Sequence, residues 1–247
     1  MPPATNIGAL ALNGVPAVVG VASRTETLVG VARASPPCDI VEIRADLLGD
    51  AASAWLRETP PPVRERTPLL LTIRSTAEGG RWEGTDEERA ARYAELCPYV
   101  AAVDVELESP VFDAVARAAH AAGRRVIGSF HDFAATPAEG RLRALVEQGV
   151  AAGADIVKIA AWTAEDSDVA RLEKILHGEW ACPLAVMGMG PQGAASRLRL
   201  AAEGSCLVYG FLDESSAPGQ LSSAELIQRL AETLPHYRAA RGRGTAD

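Results

Sequence analysis

Lysine is almost missing from this chain. Of 24 basic residues in 247, only Lys158 and Lys174 are lysine and the other 22 are arginine. A basic excess is missing too: the net charge is −8 and the pI about 5.1. Such a surface repels phosphate, which argues against a nucleic-acid or anionic-membrane partner. Paired cysteines are absent. Cys38, Cys97, Cys182 and Cys206 form no CxxC, and three of them adjoin apolar stretches, so they read as buried, reduced thiols of a cytosolic protein. No apolar run approaches the roughly 18 residues needed to cross a bilayer. The opening segment MPPATNIGALALNGVP has no basic region of the kind that starts a signal peptide. A cytoplasmic location is the expectation.

Apolar residues are plentiful, at 48%, enough for a large core. They gather in eight short runs: 17–22, 39–46, 68–74, 101–107, 125–131, 155–160, 183–188 and 206–211. The runs are rich in Val, Ile and Leu, as strands buried on both faces should be. Between them lie helix-start signals. Ser23-x-x-Glu26, Thr85-x-x-Glu88, Thr136-Pro137-x-Glu139 and Ser222-x-x-Glu225 fit the capping box, and Pro110, Pro137 and Pro191 suit a first helical turn. Eight strand–helix alternations without a linker predict an α/β fold, a single (β/α)8 TIM barrel over residues 1–247. A doubly wound open sheet is the alternative, but it does not need eight units of such even length. Residues 1–15 and the polar tail 236–247 are expected to fray.

In such a barrel the active site lies at the carboxyl ends of the strands. Polar residues interrupt the runs there. Glu42, Arg44 and Asp46 share one face by the period of two, Arg74 ends the third run, and Glu78 follows it. Asp104 and Glu106 lie in the fourth run, His131 and Asp132 close the fifth, and Lys158 stands inside the sixth. Met187-Gly188-Met189-Gly190 leads into a helix bearing Arg197. An amine in apolar surroundings has a lowered pKa and can attack a carbonyl, which an always-charged guanidinium cannot do. Each residue also has an ordinary reading. Lys158 can pair with a nearby Glu, Glu42 and Arg44 can form a structural ion pair, and His131 can simply close a strand. The glycine-rich turn 188–193 can cradle a phosphate. Convergence on one mouth favours chemistry.

Six segments, in order, resemble the type I 3-dehydroquinate dehydratases. They are Glu42-Ile-Arg44-Ala-Asp46, Thr72-Ile-Arg74-Ser-Thr-Ala-Glu78, Ser129-Phe-His131-Asp132-Phe133, Asp155-Ile-Val-Lys158-Ile-Ala160, Met187-Gly-Met189 through Ser196-Arg197, and Ser216-Ala217-Pro218-Gly219-Gln220. The resemblance covers about residues 15–235. It implies a cofactor-free and metal-free lyase of the shikimate pathway that dehydrates 3-dehydroquinate to 3-dehydroshikimate through a lysine imine. By similarity Lys158 forms the imine, His131 moves the protons and Glu78 orients the ring. Arg197 takes the substrate carboxylate, and Glu42, Arg44 and Arg74 hold the ring hydroxyls. Met187, Met189 and Tyr209 form an apolar wall, and Ser216, Ala217 and Gln220 belong to a loop that closes on substrate.

The chain departs from its relatives at Gly188, where Ser is common, at Tyr209, where Phe is common, and at Ala134-Ala135, where polar residues are expected. The partner is a small molecule, with no membrane or nucleic acid. A homodimer is allowed, and no residue pattern decides it. A class I aldolase, which also needs a reactive lysine, and a non-catalytic metabolite-binding barrel stay open as rivals. An aldolase acting on a sugar phosphate needs a phosphate site, and only the glycine-rich turn offers one.

Overall fold

The computed structural model describes residues 5–12, 14–215 and 220–237. Eight parallel strands form one sheet: β3 (Ala17–Ala22), β4 (Ile40–Arg44), β5 (Leu69–Thr72), β6 (Ala102–Glu106), β7 (Arg125–Asp132), β8 (Ile156–Trp162), β9 (Leu184–Met189) and β10 (Leu207–Phe211). Their order is β10-β3-β4-β5-β6-β7-β8-β9, so sequence neighbours are sheet neighbours and the last strand returns to the first. The remaining seam, between β9 and β10, is bridged at its foot. Cys206 N–H donates to Leu184 O at 2.8 Å, and the Ser205 hydroxyl takes the Val186 N–H at 2.9 Å while donating to Leu207 O. A barrel results.

Helices α1 (Thr25–Arg33), α2 (Ala45–Leu48), α3 (Asp50–Glu58), α4 (Pro61–Arg66), α5 (Asp86–Leu96), α6 (Phe112–Ala121), α7 (Glu139–Ala151), α8 (Asp166–Leu176), α9 (Gly193–Ala202) and α10 (Ser223–Thr233) fill the connections. The strand period of two divides the core. Val41, Ile43, Leu71, Val103, Val105, Val157 and Ile159 face outward in a cluster shared with the helices. Ile40, Leu70, Ala102, Ile127, Ile156 and Leu207 face inward and fill the lower barrel. Above this apolar floor the inward positions turn polar.

Two terminal expectations need correction. Residues 5–12 do not fray: β1 (Thr5–Ile7) and β2 (Leu10–Leu12) pair as an antiparallel hairpin. Its Ile7 is fully buried and Leu12 nearly so, both in the cluster that fills the barrel. The hairpin plugs the floor. At the other end Tyr237 is buried against α10, so order extends past 236, while 238–247 lie outside the described residues.

Helix starts follow the anticipated chemistry only in part. Thr85 and Glu88 form the reciprocal box at α5, and Ser222 caps α10 through the Glu225 N–H. At α1 the Ser23 hydroxyl instead donates to Asp213, 190 residues away, at 2.8 Å. Asp213 also accepts from Ser23 N–H, Arg24 N–H and the Thr27 hydroxyl, so a distant carboxylate replaces the local cap. Thr136 donates to Trp162 O, and α7 starts without a side-chain cap.

Candidate active site

The polar inward positions meet in a pocket at the carboxyl ends of the strands. Eleven of the thirteen anticipated site residues line it: Lys158, His131, Glu78, Glu42, Arg44, Arg74, Met187, Met189, Arg197, Tyr209 and Gln220. Ser216 and Ala217 lie outside the described residues.

Lys158 points inward from mid-β8 and is 4% exposed. Its surroundings are not simply apolar. Nζ donates to Asp104 Oδ2 at 2.9 Å and lies 4.1 Å above the centre of the Tyr209 ring. Asp104, set on β6 with no role beyond interrupting a run, is the residue that sequence reading undervalued. Its other oxygen accepts from Arg74 Nη2 at 2.7 Å and from the Ser129 hydroxyl at 2.6 Å. Burial by itself would raise the Asp104 pKa, but the charges of Arg74 and Lys158 hold it far below the usual carboxylate range. The group is a fixed anion beneath the amine. An acidic residue on the middle of a neighbouring strand, in register with the polar layer, was the available signal.

Arg74 is also 3.2 Å from Glu106 Oε1. Glu106 accepts the Ser75 N–H at 2.9 Å and pairs through its second oxygen with buried Arg89. This lattice fixes the start of the loop that carries Glu78. Glu78 Oε2 accepts the His131 backbone N–H at 2.9 Å and lies 2.9 Å from His131 Nδ1. Burial, opposed by Arg74, pushes the Glu78 pKa up to about 8. Burial, with Arg74 and Lys158, pulls His131 well below 6.5. Both directions favour an uncharged pair. Phe133 stacks on the His131 ring at 6.5 Å.

Asp46 is not on the strand face shared by Glu42 and Arg44. The chain turns into α2 at Ala45, and from there Asp46 grips Arg44 with two bonds, at 2.9 and 2.7 Å. Glu42 is 3% exposed and accepts the Thr72 hydroxyl at 2.7 Å. Arg197 differs from the other buried arginines described, Arg74 and Arg89, which pair with carboxylates. It is 3% exposed, its Nη1 reaches only Tyr209 O at 3.1 Å and Met187 Sδ at 3.6 Å, and Nε has no partner among the described residues. Burial pulls its pKa down to about 10, still charged at neutral pH. No described carboxylate pairs with it. It is a cation waiting for an anion.

The glycine-rich turn is filled by protein. A Cβ on Gly188 would overlap the Ser196 and Thr163 hydroxyls, and one on Gly190, at φ +78°, would strike the Trp162 ring. These glycines admit neighbouring side chains, which leaves the phosphate cradle without support.

Fold and pocket together define a (β/α)8-barrel enzyme with a buried-lysine site at the mouth. The model of the type I 3-dehydroquinase family matches residues 17–233. The 3-dehydroquinate dehydratase of Methanosarcina barkeri is 35% identical over 243 residues, covering 93% of this chain and 99% of that protein. That of Pyrococcus abyssi is 39% identical over 195 residues, 78% and 86% of the two chains. The crystal structure of the Clostridium difficile type I enzyme, with covalent modified comenic acid, superposes with a TM-score of 0.85 at 27% identity, over 94% and 98% of the chains. The chain belongs to the type I 3-dehydroquinase family. Among the described residues no helix is long and apolar enough to cross a membrane.

Proposed function

We propose that this protein dehydrates 3-dehydroquinate to 3-dehydroshikimate through an imine on Lys158, and so serves aromatic biosynthesis by the shikimate route. The observation that carries the reading is one pocket holding a buried amine over a fixed carboxylate, a neutral imidazole, and a buried arginine with no carboxylate of its own.

The substrate is a ring bearing a carboxylate, hydroxyls and a ketone. Its carboxylate pairs with Arg197, a buried, forked cation. Glu42 and Arg44 meet the ring hydroxyls. His131 takes a proton from the Lys158 ammonium and the freed amine adds to the ketone carbon; one amine proton and the proton held by His131 pass to the oxygen, which leaves as water, giving a protonated imine and a neutral His131. Asp104 stays ionised and offsets the positive charge that builds on nitrogen.

The iminium makes the adjacent C–H acidic. His131, uncharged at rest, takes that proton, and the electron pair moves into an enamine. Collapse of the enamine expels the β-hydroxyl, which leaves as water with the proton from His131. Water then hydrolyses the imine to release the unsaturated ketone and restore the amine. The sum is loss of one water. Glu78 orients the ring through Nδ1, and its acidity rises as His131 becomes cationic, so the two act as one proton-holding unit.

Borohydride reduction with 3-dehydroquinate present tests the reading. One ligand mass is expected on Lys158 and none on Lys174, which is exposed and paired with Glu139 at 2.6 Å. Lys158→Arg is expected to abolish both trapping and turnover, since a guanidinium stays protonated. Label on Lys174, or wild-type turnover by the Arg variant, rejects the imine.

A further inference from the structure

Tyr209 carries a feature that an apolar wall does not explain. Its hydroxyl is buried and has no hydrogen-bond partner among the described residues. A phenylalanine would set the same ring against the Lys158 amine without burying an unpaired polar group. The hydroxyl is therefore a cost unless something brings it a partner.

Position narrows what that partner is. Tyr209 lines the pocket from β10, its ring lies 4.1 Å from Lys158 Nζ, and its own carbonyl accepts from Arg197 at 3.1 Å. Its ring thus meets the group that attacks the ketone and its backbone meets the group that takes the carboxylate. A ligand joining those two points passes this residue. The carboxylates near the phenol already accept other hydrogen bonds. Asp104 is shared by Lys158, Arg74 and Ser129, and Glu42 holds Thr72. Burial and the nearby Asp104 and Glu42 raise the phenol's pKa well above 10, so it offers a proton to share and does not act as a base.

We propose that the Tyr209 hydroxyl donates a hydrogen bond to an oxygen substituent of the bound hydroxy-keto acid, making Tyr209 a specificity-determining residue. The proposal rests on the dehydratase reading above, and it adds a contact beyond the wall role implied by resemblance. It requires that the hydroxyl act in ligand binding while the ring alone supports the amine.

Tyr209→Phe separates the two, because it removes one oxygen and keeps the ring. Steady-state kinetics on 3-dehydroquinate and thermal unfolding are compared for the variant and wild type. KM is expected to rise about 2- to 13-fold, the equivalent of one neutral hydrogen bond, with the larger effect in KM rather than kcat. The melting temperature is expected to hold or rise, since an unpaired buried hydroxyl has gone. An unchanged KM overturns the proposal whatever the melting temperature does, and a lowered melting temperature with unchanged KM would assign the hydroxyl to a structural water instead. Wild-type turnover tests the reaction and the ratio between the two proteins tests the hydroxyl, so the two failures are distinguishable.

Discussion

At the scale of single residues, chemistry was legible where composition made a residue conspicuous. Lys158 stood out because lysine is so rare, and Arg197 because it follows a strand end into a helix. Asp104 was seen but given no work, since its contact with Lys158 depends on how β6, β7 and β8 stack in register, with Thr72 beside Asp104 and Ser129 beside Lys158. Charge state was not legible either: burial and the fields of Arg74 and Lys158 set it for His131, and those exist only in the fold. Three outcomes follow at this scale. His131→Ala should lose on the order of 100-fold or more in turnover while still forming some adduct that borohydride traps. Near-normal turnover would move the proton transfer to another group. Arg197→Ala should cost roughly 2–5 kcal/mol in kcat/KM for 3-dehydroquinate, with Arg197→Lys recovering only part, because a point charge replaces a fork. Asp104→Asn leaves Lys158 and Arg74 without their shared buried anion. It should lower stability by about 3–5 kcal/mol as well as slow trapping, read by denaturant unfolding and by the rate of adduct formation.

At the scale of elements, strands could be read because both faces of each are buried and the apolar runs are nearly continuous. The run at 17–22 and strand β3 coincide, and the fifth and sixth runs differ from β7 and β8 by a residue or two. Helix starts were harder. Thr85 and Glu88 close on each other three residues apart, a distance that sequence displays, whereas Ser23 finds Asp213, 190 residues on, at the end of the neighbouring strand β10. The floor hairpin escaped notice because strands of three residues produce no period. This scale supplies its own outcome. Thr85→Ala removes the α5 cap far from the substrate groups and should cost about 1 kcal/mol, or roughly 2–4 °C in melting temperature, with KM unaltered. Ile7→Ala, in contrast, opens a hole in the barrel floor and should cost about 2–5 kcal/mol. If both variants melt like wild type, neither the cap nor the plug carries stability.

At the scale of the whole molecule the buried charges make stability depend on pH in a way that composition conceals. Glu78 has its folded pKa raised to about 8, so it binds more protons folded than unfolded. Its contribution is complete below the unfolded value near 4.5 and is lost as pH rises through about 8. His131 has its folded pKa lowered, so its contribution is present above 6.5 and is lost as pH falls. Asp104 and Glu106, also lowered, act in the same sense as His131 but further into acid. Between about 4.5 and 6.5 Glu78 and His131 oppose each other. Above 6.5 Glu78 stands alone among these four. From pH 6.5 to 8 it should remove up to about 2 kcal/mol, since each pH unit is worth about 1.4 kcal/mol per proton. Glu78→Gln cannot release that proton. Melting curves at pH 6, 7, 8 and 9 should therefore show wild type losing several degrees relative to the Gln variant as pH rises, with most of the divergence complete near pH 8. A difference between the two proteins that stays constant across that range would mean that Glu78 is already ionised at neutral pH, and that His131 works beside a carboxylate from the start of the cycle.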